Sequence, residues 1–432
     1  MRRNIVHAGA GSLTYAIREI VQVAYQFRDL GVKMTWENIG DPVQKGETIE
    51  PWIRQIMRDI VDQDVSWGYC DTAGVPETRK FLAEEVNKRG GAQVTPDDIL
   101  FFNGIGDAVA KVYGFLARNA RVIGPTPAYS THSSAEAAHS GYDHLTYELD
   151  PYNKWLPDLE DLRLKVHYND SIAAILLINP DNPTGAVYPR AVMEEIIAIA
   201  REHDLFVIAD EIYTHIVYNG NKTLHLSEVI GDVCGLALRG VSKEVPWPGS
   251  RCGWIEVLNR HRDKMFHTYV DSLLASKRLE VCSTTMPQLA VPKILGDKRY
   301  PAHLKRRAGI FEARAKEACQ LLGEIPGTKI NCPSGAFYLT VMFEPGALNN
   351  RQTLKIDNPK VRKLVEGLVA GGPEDQRFVY YLLGATGVCV VPLTGFCCKR
   401  DGFRVTLLEC DDEKRRWTFK TLATAMREYL NS

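Results

Sequence analysis

From about residue 95 to 260 the chain switches repeatedly between short apolar runs and segments whose apolar residues recur at helical spacing. That is the pattern of a mainly parallel sheet covered by helices. The runs predict strands over 99–102, 121–123, 173–178, 206–210, 235–241 and 252–257. Between them, 190–203 opens behind Pro189 and repeats apolar residues at Val192, Ile196, Ile197 and Ala200, one face of a helix. Ahead of the sheet, Ile17, Ile20, Ala24, Phe27 and Leu30 line one side of an amphipathic helix, and the turn-like Asn38-Ile39-Gly40-Asp41-Pro42 follows. After about residue 310 helix and strand signals mix again, and 345–373 reads as an irregular or inserted surface segment. The expectation is an α/β fold with a large domain over 46–310 and a smaller α/β domain formed by both chain ends, 1–45 and 311–432.

Composition narrows the class. With 432 residues, 45% of them hydrophobic, the chain can bury a large core. Its 52 Lys and Arg balance 53 acids, so no global basic field exists to attract nucleic acid. No apolar run approaches the ~20 residues of a membrane span, and Met1-Arg2-Arg3 does not open a signal peptide. Ten cysteines, without a CxxC pair, read as reduced thiols and suggest no metal centre. These features predict a soluble cytoplasmic enzyme with neither membrane nor nucleic-acid partners.

In open sheets of this kind ligands bind beyond the carboxyl ends of the strands. Asn179, Asp210 and Ser242 each stand where a predicted strand ends. Lys243 follows Ser242; taken alone it reads as a surface lysine, but an amine presented unprotonated at a strand end can bond an aldehyde and move a proton. Asp210 closes the apolar run Phe206-Val207-Ile208-Ala209, where a carboxylate needs a cation unless it merely caps a helix. Arg404, in the alternating stretch Phe403-Arg404-Val405-Thr406-Leu407, is either an exposed strand arginine or an inward guanidinium suited to clamping a carboxylate. Asn103-Gly104-Ile105-Gly106-Asp107 lies between a strand and a helix, where free N–H groups and the macrodipole favour an anion. Gly104 and Gly106 also make a partial dinucleotide fingerprint, which lacks its third glycine and has Val109 beyond it.

Four motifs, INPDNPTG over 178–185, ADEIY over 209–213, Ser242-Lys243 with Arg251, and Phe403-Arg404-Val405, agree in order and spacing with the class I/II aminotransferases. The chain resembles that family from about Tyr15 to its C-terminus. The resemblance implies pyridoxal 5'-phosphate on fold type I, with Lys243 as the catalytic residue that carries it. It also implies Asp210 at the pyridine nitrogen, Tyr213 and Asn182 at the phenolic oxygen, and Tyr129 stacked on the ring. Gly104, Ile105, Gly106, Ser242, Arg251 and Tyr69 of a second subunit would hold the phosphate, making the active form a homodimer. Arg404, Asn182 and Gly40 would hold the substrate, and Tyr15 and Arg18 would close over it, Arg18 being available to a distal carboxylate. No metal is implied.

Within the family the likeness is to alanine (glutamate–pyruvate) aminotransferases, through Tyr15-Ala16-Ile17-Arg18, Gly68-Tyr69-Cys70-Asp71, the 178–188 run, Leu274-Ala275-Ser276 with Arg278, and 386–392 with Gly395-Phe396. It implies ping-pong exchange of an amino group between amino acids and 2-oxo acids. Aspartate or aromatic substrates, a carbon–sulfur lyase on the same cofactor, and a ligand-sensing regulator are the other readings. A nicotinamide dehydrogenase leaves Lys243, Asp210 and Arg404 unexplained. The chain departs from the family at Gly106, where a hydroxyl residue is usual, at Glu244 beside the lysine, and at Pro246 and Pro248.

Overall fold

The structure is a computed structural model that describes residues 5, 6, 8–13 and 16–432. The strands in chain order are β1 (Thr35–Trp36), β2 (Ile99–Phe102), β3 (Arg121–Thr126), β4 (Thr146–Asp150), β5 (Leu156–Pro157), β6 (Ile172–Ile178) and β7 (Phe206–Asp210). They continue with β8 (Gly235–Gly240), β9 (Gly253–Leu258), β10 (Thr328–Ile330), β11 (Tyr338–Phe343), β12 (Val388–Cys389), β13 (Val391–Pro392) and β14 (Gly402–Thr406). Each of the six strands predicted from apolar runs is present.

Eight strands form one sheet in the order β2-β9-β8-β7-β6-β3-β4-β5. Its centre, β8-β7-β6-β3-β4, is parallel, while β2, β9 and β5 pair antiparallel at the margins. The central runs are apolar throughout because both faces are covered. Leu100, Phe102, Leu176 and Ile178 pack on one side with the helices Ile105–Gly114 and Lys264–Arg278, and Ile99, Phe101, Ile175 and Leu177 pack on the other with Arg190–Glu202. That helix buries Ile196, Ile197 and Ala200, as its spacing predicts, but its first buried turn is centred on Met193, and Val192 is half-buried. Chain order reverses between β3 and β6, so the crevice beyond their carboxyl ends is where such sheets take ligands.

A second sheet, β10-β11-β14-β13, is antiparallel, and β1 pairs with β12 across nearly the whole sequence. The predicted N-terminal helix spans Ala16–Asp29 and buries Ile17, Ile20, Ala24 and Phe27. Two expectations are corrected. The segment 345–373 is not merely irregular: it holds the helix Pro359–Leu368, capped by the Asn358 side chain, and buries Leu348, Leu354, Ile356, Val361 and Val365. The cysteines are not all free thiols, because the turn between the helix Tyr300–Leu322 and β10 brings Cys319 and Cys332 to a Cα separation of 6.1 Å and a disulfide. Among the described residues no helix is long and apolar enough to cross a membrane, and no metal-binding cluster occurs.

Candidate active site

The end of β7 and the segments that follow β3, β6 and β8 bring their residues to one site, where His132 meets Asp210, Asn182 meets Arg404, and the Lys243 amine feels both Asp210 and Arg404. After β8 the chain leaves the sheet at Val241 and turns, placing Lys243 with its amine 2.6 Å from the Gly40 carbonyl, to which it donates. Burial pushes the amine down to about 8; the Arg404 and Arg251 cations act in the same direction, and Asp41 and Asp210 oppose it. A lysine in this setting is largely neutral at mildly alkaline pH, the form that attacks a carbonyl.

Asp210, at the end of β7, is buried. Its Oδ1 accepts the Ile212 N–H at 3.2 Å, and its Oδ2 meets His132 Nε2 at 3.1 Å. His132 lies in the helix Ser130–Ser140, and its Nδ1 stands 3.2 Å from the Tyr113 hydroxyl. A chain of three buried side chains thus orients one carboxylate. Tyr129 precedes this helix, half-buried, with its ring centroid 6.3 Å from that of His132.

Arg404 on β14 is fully buried. One Nη donates to the Asn38 carbonyl at 2.5 Å and the other to Asn182 Oδ1 at 3.3 Å, while the guanidinium lies 4.5 Å from the Tyr338 ring and 5.3 Å from the Phe396 ring. Its Nε has no partner, and among the described residues no carboxylate lies within ion-pair distance of it. A buried guanidinium without an anion is costly, so the pocket is incomplete without one. Asn182 therefore faces the arginine, and Tyr213 instead shares a 2.8 Å hydrogen bond with the Tyr338 hydroxyl. Gly40 is required by this packing: a Cβ there would stand 2.4 Å from that hydroxyl.

At the start of the helix Ile105–Gly114, Gly104 adopts φ +83°, and an added Cβ would sit 2.3 Å from Arg251 Nη2. Arg251 itself has φ 49° and is tied to the Pro248 and Asn103 carbonyls at 2.9 and 3.4 Å. Nothing comes within 4 Å of a Cβ built on Gly106, which leaves open space at the helix N-terminus. Ser242, next to Lys243 in sequence, is half-buried. The flagged acid Glu244 points away into a buried cluster: it accepts the His215 N–H and meets His215 Nδ1, both at 2.8 Å. Burial opposes its charge, but His215 and Arg239 overcome this and hold it at about 2.

Two expected residues are not drawn into this cluster. Tyr69 is 83% exposed, on a stretch with Trp67 at 73% and Val65 at 57%. Arg18 is exposed on its helix, and no hydrogen bond or ion pair among the described residues ties it to the crevice. Tyr15 lies outside the described residues. The sequence reading, conversely, missed His132, Tyr113, Asn38 and Tyr338. His132 follows Tyr129 by three residues, and Tyr338 stands in an apolar strand run; neither carries a motif.

The comparisons with known proteins agree. The family profile for aminotransferase class I and II matches residues 33–417. The chain is 54% identical to an uncharacterized aminotransferase of Methanocaldococcus jannaschii, over the full length of both. It is 30% identical to the glutamate-pyruvate aminotransferase AlaA of Escherichia coli, over 85% of this chain and 90% of that protein. The structure of alanine aminotransferase from Pyrococcus furiosus superposes with a TM-score of 0.84 at 27% identity, covering 99% of this chain and 100% of that one. On these likenesses the chain belongs to the class I and II aminotransferases, pyridoxal-phosphate enzymes of fold type I.

Proposed function

We propose that the protein exchanges amino groups between alanine or glutamate and pyruvate or 2-oxoglutarate. The observation that carries this reading is Arg404, a buried guanidinium with an unpartnered Nε and no anion, a fitting clamp for an α-carboxylate. The alanine and glutamate assignment is supported by the names of the Escherichia coli and Pyrococcus furiosus relatives.

The residues present fit pyridoxal phosphate. Arg251, Ser242 and the N–H groups at Gly104 to Gly106 would hold the phosphate at the helix N-terminus, where an added Cβ at Gly104 would fill the cradle. Asp210, steadied by His132, would hold a proton at the pyridine nitrogen, Tyr213 would donate to the phenolic oxygen, and Tyr129 would pack on the ring. When bound, the cofactor supplies the aldehyde that takes up the amino group and the ring that withdraws electrons from the substrate α-carbon.

The chain's own residues do the rest. Arg404, with Asn182 accepting one of its N–H groups, fixes the α-carboxylate and so sets which bond at the α-carbon faces Lys243. Lys243, its charge disfavoured by burial, takes the α-proton and returns it, and when its amine is free the Gly40 carbonyl lies within hydrogen-bond reach of it. On this reading 46–310 form the cofactor domain and 1–45 with 311–432 the smaller one, and the enzyme is a cytoplasmic homodimer in which exposed Tyr69 reaches the partner's phosphate site.

The test is the absorption spectrum of the purified protein with pyridoxal phosphate. L-Alanine and L-glutamate are expected to move the visible band into the near ultraviolet, and pyruvate or 2-oxoglutarate to restore it. Lys243→Ala is expected to lack the visible band. A response confined to aspartate or aromatic amino acids would overturn the substrate assignment.

A further inference from the structure

The backbone of Lys243 lies in a turn beyond β8, outside the sheet ladder. What reaches it comes from the helix Tyr300–Leu322, whose N-terminal turns pack beneath the turn. Arg307 is 1% exposed. Its Nη1 donates to the Lys243 carbonyl at 2.6 Å and to the Glu244 carbonyl at 3.0 Å. Its Nε and Nη2 grip both oxygens of Glu47 at 2.5 and 2.9 Å. One turn earlier, His303 Nε2 stands 3.0 Å from the same Glu244 carbonyl.

Glu47 is not an arbitrary partner. It ends the segment whose Gly40 carbonyl receives the Lys243 amine and whose Asn38 carbonyl receives Arg404. The other end of that segment is fixed by a buried triad, in which Lys45 pairs with Glu37 at 2.8 Å and Glu409 at 3.1 Å. Arg307 therefore holds the lysine by its carbonyl and, through Glu47, the strap on which the far end of the same side chain rests. A planar five-donor fork can make these bonds together; an ammonium cannot.

We propose that Arg307, acting through Glu47, is a positioning residue that sets the register of Lys243 against the Gly40 carbonyl and so keeps its amine buried and reactive. This rests on the reading of Lys243 as the cofactor-bearing lysine. The groups around the amine are Asp41 and Asp210, which favour its charge, and Arg404 and Arg251, which oppose it. Those around Arg307 are Glu47, His303, and the ion pair of Glu50 with Arg306. Loosening the strap admits water to the amine, which shifts it toward an ordinary lysine.

The experiment strips the cofactor from the full-length protein, exposes it to pyridoxal phosphate across a pH series, traps the product with borohydride and locates it by mass spectrometry. In the wild type the label falls on Lys243. In Arg307→Met and Arg307→Lys the pH midpoint of labelling is expected to rise by about one unit, which near neutral pH is about a tenfold slower capture. Reconstituted variants are expected to lose about tenfold in kcat with KM changed less than about twofold, the pattern of a lost transition-state alignment. Glu47→Gln, which retains shape and one hydrogen bond, is expected to shift the midpoint in the same direction by less, and it decides the matter if the Arg307 variants do not fold. A midpoint equal to that of the wild type in the folded variants, whatever their melting temperatures, overturns the proposal. Failure of the wild type to label at Lys243 overturns the reading beneath it instead.

Discussion

Glu244 offers a sharp test of how the lysine turn is held. The side chain is buried and its carboxyl is depressed from an ordinary 4.5 to about 2, chiefly because His215 and Arg239 outweigh the cost of burial. At ~1.4 kcal/mol for each pH unit, that difference corresponds to about 3 kcal/mol of stability at neutral pH. Glu244→Gln removes the charge but keeps an amide oxygen able to accept the His215 N–H, which returns ~1 kcal/mol. The expected net loss is about 2 kcal/mol, read as the difference in urea unfolding free energy between cofactor-saturated wild type and variant. The pH dependence gives the sign. A depressed carboxyl stabilises the folded state above its unfolded value of 4.5, and that contribution fades as pH falls through about 2. The gap between the two proteins should hold from about pH 7 to about pH 5 and shrink to about 0.5 kcal/mol by about pH 3. A gap that is unchanged across this range would refute the electrostatic argument, since lost packing or a lost neutral hydrogen bond has no reason to titrate there.

Other outcomes follow from the crevice. Asp210→Asn keeps the shape but not the charge at the end of β7, and kcat is expected to fall ~100-fold or more with the fold retained by circular dichroism. Arg404→Lys loses the fork that serves Asn38 and Asn182 together, so KM for the amino acid is expected to rise ~10- to 100-fold in steady-state assays. Gly104→Ala forces a Cβ at φ +83° to within 2.3 Å of Arg251, and equilibrium titration is expected to show pyridoxal phosphate bound ~10-fold more weakly. If Tyr69 serves the partner's site, mixing inactive Lys243→Ala and Tyr69→Ala subunits should restore activity, and no recovery would place Tyr69 outside the chemistry.

Much of this was legible in the sequence, for a reason that also explains the gaps. β2, β6 and β7 are buried on both faces, so their apolar runs are unbroken, and the polar residue that ends each run marks its carboxyl end; β8 follows the same pattern except for its buried Arg239. Asn179, Asp210 and Ser242 stand out that way, Lys243 follows the last of them, and Asn182 comes from the motif that resembles the family. His132, Arg307 and Glu47 do not stand out, because each acts on a residue far away in the chain: 78 residues separate His132 from Asp210, and 260 separate Arg307 from Glu47. Local pattern carries no trace of such pairs. The helix Pro359–Leu368 was read as irregular because the Gly and Pro residues around it dominate the signal, although Val361 and Val365 keep helical spacing. The Cys319–Cys332 bridge was missed because its spacing matches no familiar framework.

The bond from Lys243 to Gly40 closes a loop of 203 residues, and that from Arg404 to Asn38 one of 366. β1 likewise finds its partner only at Val388 and Cys389. A chain emerging from the ribosome amino end first therefore carries its reactive amine long before the guanidinium that selects substrate has been made. Until the segments that bury it have closed over it, the lysine is an ordinary protonated amine. Completion of the site is thus one of the final events in the birth of the molecule, and a chain cut short between Lys243 and Arg404 is expected to lack both the guanidinium clamp and the Lys45 to Glu409 pair that fixes the strap.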